Sequence, residues 1–158
     1  MTARTVHVEE RIAVAAPPEK VFAALTDWER QSDWIAFTKV VVDSGEPGVG
    51  QRFTATTGIG PAGFADQMEV TRWEPPHRAD VVHLGKVVRG TGSFQVAPAP
   101  GGSWLTWIED LELPLGTAGA AGFKAIGPAA RLFIRRSMRA LARAVEAQTP
   151  VGRRHTAG

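Results

Sequence analysis

The sequence predicts an α+β architecture in which about seven antiparallel strands curl around one long C-terminal helix. Three observations lead there. The element order reads strand, short helices, six strands, long helix. Turn-forming residues punctuate the middle of the chain at short intervals, as hairpin-linked strands require. Between Gly127 and Gln148, apolar residues recur at the three-and-four spacing of an amphipathic helix. At 158 residues, seven strands and one dominant helix do not make a flat two-layer sandwich. The sheet must curl, and a curled sheet leaves an interior.

Each element has its own signal. Val6, Val8, Ile12 and Val14 alternate with His7, Glu9, Arg11 and Ala13, the period of a half-buried strand. Ala16-Pro17-Pro18 stops it, and a proline in a helix's first turn costs nothing because its missing N–H is not needed there. Val21, Phe22 and Leu25 then take helical spacing to about Asp27. Asp27 and Ser32 are cap residues for a second helical turn, around which Trp28, Trp34, Ile35 and Phe37 cluster. Strands follow at Thr38–Asp43, Gln51–Thr57, Phe64–Trp73, Ala79–Leu84, Val87–Val96 and Trp104–Leu113. Gly85-Lys86 is read as a two-residue hairpin turn. Pro114–Gly122 is read as a connector and Gly127-Pro128 as the opening of the last helix. The inner face of that helix is Ala130, Phe133, Ile134, Ser137, Met138, Leu141, Ala144 and Val145. One domain over 1–148 and a disordered polar tail over 149–158 are the expectation.

Composition removes several chemistries. Cysteine, tyrosine and asparagine are absent, and with them disulfides, thiolate nucleophiles, phenolic acids and glycosylation acceptors. The four histidines, His7, His77, His83 and His155, share no ligand spacing, so no metal and no cofactor are expected. Gly58-Ile59-Gly60-Pro61-Ala62-Gly63 matches the dinucleotide pattern literally. That pattern works when its last glycines open a helix, whereas here a strand follows and Pro61 lacks an amide hydrogen, so it reads as a hairpin loop. The start, MTARTVHVEER, has no apolar h-region and no stretch approaches a membrane span, which makes a cytoplasmic protein the expectation.

Charge is unevenly spread. Residues 125–158 carry seven arginines against Glu146 alone, a balance of +6, while residues 1–124 balance at −4. The stripe Arg131, Arg135, Arg136, Arg139 and Arg143 reads first as a solvated helix face. It also fits a dock for anionic lipid headgroups or RNA, or pairing with the acidic part of the chain, within one molecule or across a homodimer. No aromatics interleave on that face, so base stacking is unsupported and no nucleic acid is expected.

The segment APPEKVFAALTDWERQSDW (Ala16–Trp34) is similar to the opening signature of the START-like, Bet v 1-like (SRPBCC) superfamily. Val49–Phe53, Val70–Pro76, Leu105-Thr106-Trp107 and the arginine-rich last helix agree in order and spacing, over about residues 6–147. The chain most resembles the bacterial polyketide cyclase/dehydrase and lipid-transport branch. The resemblance implies a helix-grip fold whose sheet encloses an apolar pocket against the last helix. Members bind lipids, hormones, quinone-like or polyketide molecules, some act on them, and others serve as chaperone cofactors or ribosome-associated toxins.

Within that frame the leading expectation is a binding or carrier protein for a small hydrophobic molecule. Phe53, Met68, Phe94, Trp107, Phe133 and Leu141 are the expected cavity lining, with Trp28, Trp34 and Phe37 flanking its mouth. Each is equally a plain core residue until an unfilled volume is found. Ser137 falls on the inner helix face, where its hydroxyl can instead bond the carbonyl four residues back. The first alternative is a cyclase or dehydratase acting on a polyketide-like substrate. Glu10 is in phase with Val8 and Ile12, and Glu109 with Leu105, Trp107 and Leu111, so alternation points both inward. An unpaired buried carboxylate gains proton affinity, which suits a general base. The resemblance makes the first and last strands neighbours, so the two carboxylates would approach each other unless a bulge reverses either phase. His83 is the third candidate; Val81 and Val82 leave its face open. The second alternative is a protein-interaction module working through Arg131–Arg143.

Overall fold

The computed structural model describes residues 4–113 and 119–149. Strand β1 (Arg4–Val14) leads into helix α1 (Pro18–Thr26) and a 3₁₀ turn (Trp28–Asp33). Six strands follow: β2 (Thr38–Ser44), β3 (Arg52–Thr57), β4 (Phe64–Glu74), β5 (Arg78–Leu84), β6 (Arg89–Ala99) and β7 (Gly102–Leu113). Helix α2 (Gly119–Ala147) closes the chain. The seven strands form one antiparallel sheet in the order β1-β7-β6-β5-β4-β3-β2. First and last strands are thus neighbours, and α1 with the 3₁₀ turn spans from one sheet edge to the other. This is the helix-grip arrangement. Among the described residues, no helix is long and apolar enough to cross a membrane.

The core is one continuous cluster that joins the concave sheet face to α1 and α2. Val6, Val8, Val14, Leu105 and Trp107 come from the β1–β7 pair, and Ile134, Met138, Leu141 and Val145 from α2. Extra residues in two strands bend the sheet: the β4–β5 register shifts between Val70 and Arg72, and the β2–β3 register between Val42 and Ser44. Such bulges deepen local twist and help a sheet wrap. After the first of them, Trp73 turns inward against Phe22, ring centroids 5.3 Å apart.

Several expectations need correction. The β5–β6 turn is not two residues but four, Gly85–Val88, because Val88 is itself buried and the ladder resumes only at Arg89. Helix α2 begins before Gly127-Pro128, and Pro128 lies inside it. The preceding Gly119–Ile126 is rich in alanine, the best helix former, and Gly127 has no Cβ to clash with the proline ring. Asp27 does not cap the 3₁₀ turn with its side chain. On α2, Ala142 is buried where Ala144 was expected, and Ala144 is exposed. The β3–β4 glycine segment forms a 3₁₀ turn (Gly60–Ala62) running into β4, as read from the sequence. Most of the connector at 114–118 and all but the first residue of the tail lie outside the described residues.

Candidate functional site

Between the concave sheet, the 3₁₀ turn and α2 lies a cavity of about 270 Å³, near the lower end for ligand pockets (roughly 300–1,000 Å³). Its wall is largely aromatic and aliphatic: Trp28, Phe53, Met68, Val81, Phe94 and Trp107 from the turn and sheet, Phe133 and Ile134 from α2. Trp28 stacks on Phe53, centroids 4.3 Å apart and planes 12° from parallel, and its Nε1 donates to Gln51 Oε1 at 2.8 Å. Phe94 meets Trp107 edge to face at 4.9 Å. These contacts hold the rings as a rigid wall.

Apart from the neutral Gln31, Thr38, Thr57 and Ser93, one charged group interrupts that wall. On β5, Ala79, Val81 and His83 are buried in alternation, which settles the face of His83 toward the cavity. Its Nδ1 lies 2.8 Å from Asp66 Oδ2 and its Nε2 3.0 Å from Glu109 Oε2. Trp107 Nε1 donates to the other Glu109 oxygen at 2.6 Å. All four residues line the cavity. Burial by itself lowers the proton affinity of His83, but the hydrogen bonds and charges of Asp66 and Glu109 outweigh it and raise its pKa to about 10. His83 is therefore an imidazolium clamped between two carboxylates. Gly92, opposite Glu109 on β6, makes room for this arrangement: a Cβ there would stand 3.0 Å from both Glu109 oxygens. Asp66 Oδ1, by contrast, is buried without a hydrogen-bond partner.

The sequence candidates divide. Trp28, Phe53, Met68, Phe94, Trp107 and Phe133 line the cavity, as do His83 and Glu109. Trp28 is a buried wall residue rather than part of a mouth. Trp34 sits behind the wall, edge-on to Trp107 at 6.0 Å. Phe37 is 68% exposed and turned outward at a left-handed φ of 56°. Leu141 is packed in the core away from the cavity, and the Ser137 hydroxyl donates to Phe133 O at 2.9 Å. Glu10 is buried, opposite Trp107 in the β1–β7 register and so diagonal to Glu109. It pairs with Arg135 at 2.9 Å and Arg131 at 3.7 Å, so the arginine stripe is partly spent inside the molecule. Asp66 was missed although it stands in phase with Met68 and Val70 on β4, which already marked that face as inward.

Comparison with known proteins agrees with this geometry. The sequence profile of the family described as "Polyketide cyclase / dehydrase and lipid transport" matches residues 5–146. No curated protein matches the chain. Among solved structures, TTHA0849 from Thermus thermophilus superposes with a TM-score of 0.78 at 17% identity, covering 93% of this chain and 100% of that one. The di-domain ARO/CYC StfQ from the steffimycin biosynthetic pathway gives 0.74 at 16% identity, over 91% of this chain and 51% of its own length. An AHSA1-like protein from Aeromonas hydrophila gives 0.61 at 24% identity, over 90% and 93%. At these identities the likeness is one of fold.

Proposed function

The chain belongs to the polyketide cyclase/dehydrase and lipid transport family, and from that premise we propose that it binds a small hydrophobic molecule in the cavity between sheet and α2. The observation that carries the reading is unfilled volume inside an aromatic wall, where a protein core is otherwise packed to crystal-like density. Burying an apolar ligand there gains roughly 25 cal/mol per Å² removed from water. Native mass spectrometry of freshly purified protein, followed by solvent extraction, is expected to reveal a discrete hydrophobic adduct. A clean mass together with no uptake of added 1-methylnaphthalene would sink the reading.

A second reading, proton-transfer catalysis on the bound molecule, is favoured by one arrangement only: the chain Asp66–His83–Glu109 facing the cavity. In such a reaction His83 supplies positive charge and a proton, and the Asp66 and Glu109 carboxylates beside it are the groups that can accept one. Glu10 has no part in it, because it is committed to Arg135 and Arg131. Turnover that survives both Asp66→Asn and His83→Gln would exclude this mechanism.

A further inference from the structure

Exposed apolar side chains gather at one end of the molecule. Six of the ten large hydrophobics exposed among the described residues are Phe37, Ile59, Phe64, Val87, Leu132 and Phe133. Strand pairing brings the first three together: Thr57 is opposite both Thr38 and Phe64, and Gly58 N donates to Phe37 O at 2.9 Å. The β5–β6 turn joins them, since a Cβ on Gly85 would stand 3.7 Å from Ala65 O and Asp66 Oδ1 near the start of β4. Phe64 and Phe133 belong at once to the cavity wall and to the surface, at 39% and 36% exposure, whereas Trp28, Phe53 and Phe94 are buried. This end of the molecule is therefore the mouth of the cavity.

Folding alone does not account for these side chains. Phe37 takes a left-handed φ of 56°, costly for a bulky residue, and turns its ring to solvent. Ile59 stands between Gly58 and Gly60, both at positive φ, in the β3–β4 turn, and Val87 follows Lys86 in the β5–β6 turn. The apolar groups are thus tips on separate turns, a form that suits insertion among lipid chains more than a matched, flat protein face. Cations accompany them. Lys86 adjoins Val87, Arg89 opens β6, Lys39 lies two residues past Phe37, and Arg136 lies one turn beyond Leu132. All four are exposed, and none pairs with an acid among the described residues. Glu112, opposite Arg89 in the register, offsets one of them.

We infer that the mouth docks on an anionic lipid bilayer, with Phe37, Ile59 and Val87 inserted between headgroups and the four cations resting on them. Insertion removes the exposed tips from water, and each Lys or Arg held near an anionic surface tightens binding by about fivefold. The inference takes from the binding reading only the position of the mouth. It goes beyond that reading by naming the surface from which the cavity is loaded.

The test is flotation of the full chain with vesicles of phosphatidylcholine and with vesicles of an equimolar mixture with phosphatidylglycerol. Binding to the mixed vesicles is expected to be at least about tenfold tighter and to weaken with salt. Combined Phe37→Ser, Ile59→Ser and Val87→Ser is expected to weaken it at least about tenfold. The same variant keeps its melting temperature and its affinity for 1-methylnaphthalene, because none of the three is buried or lines the cavity. Val49→Ser, equally exposed but on the β2–β3 turn, is expected to change nothing. Uptake of 1-methylnaphthalene without vesicle binding, or vesicle binding that the triple variant leaves within about twofold, would overturn the inference and leave the cavity reading intact. So would a dimer in analytical ultracentrifugation that the triple variant dissociates while vesicles go unbound, since the tips would then be an interface between copies. Vesicle binding that needs the three tips, without uptake of 1-methylnaphthalene, would overturn the cavity reading alone.

Discussion

His83 holds a buried positive charge that exists only because Asp66 and Glu109 stand on either side of it. Its folded-state pKa, about 10, lies above the ordinary 6.5 despite the opposing effect of burial. The stability this charge contributes is complete below about pH 6.5 and is lost as pH rises toward 10. The melting temperature is accordingly expected to fall across that interval in wild type and to be flatter in His83→Gln, by calorimetry at several pH values. An unchanged slope in the variant would mean that another group titrates. Glu10 follows the same rule of paired burial with the opposite functional outcome. It is 6% exposed and answered by two arginines, so it ties α2 to β1 instead of serving the cavity.

Helix α2 is the element that closes the cavity, and it carries its own irregularity. Pro128 lies inside it, five and six residues before Phe133 and Ile134, which line the cavity. A proline there removes the hydrogen bond to the carbonyl four residues earlier and crowds that carbonyl. Pro128→Ala is expected to stabilise the protein by about 1–3 kcal/mol, the interior-proline penalty less the entropy the unfolded chain regains. Denaturant unfolding at equal slope checks it, and a destabilised variant would show that the proline itself is needed for packing. Periodicity located this helix from Ala130 onward but placed its start at Gly127-Pro128, because proline is usually a first-turn residue. The strands were easier to read. Strict alternation in β1 and β7 put Glu10 and Glu109 on the inward face, and the β1–β7 register sets Glu10 beside Trp107 and Val8 beside Glu109. In β5 the consecutive valines Val81 and Val82 hid the phase, and the face of His83 was settled only by packing.

Taken whole, the molecule is a sheet wrapped far enough round α2 that side chains from opposite walls do not quite meet. That gap is testable without knowing the ligand. Ala55, on β3, lines it and is 9% exposed. Ala55→Phe is expected to fill the space, lowering affinity for 1-methylnaphthalene by at least about tenfold while the melting temperature holds, whereas the same insertion into a packed core costs about 1–3 kcal/mol. A large drop in melting temperature would show that the volume is not there to fill. The amino-acid order by itself determined the element sequence, the antiparallel sheet, the amphipathic last helix and most of the aromatic wall, because those follow from local periodicity and turn chemistry. It also marked Glu109 and His83 as chemical candidates. Only the tertiary structure decided that Glu10 belongs to Arg131 and Arg135, and that Asp66 and Glu109 converge on His83. Those pairings join residues 17 to 125 positions apart, through strand register and the docking of α2, and no local pattern encodes which of several inward charges will find one another.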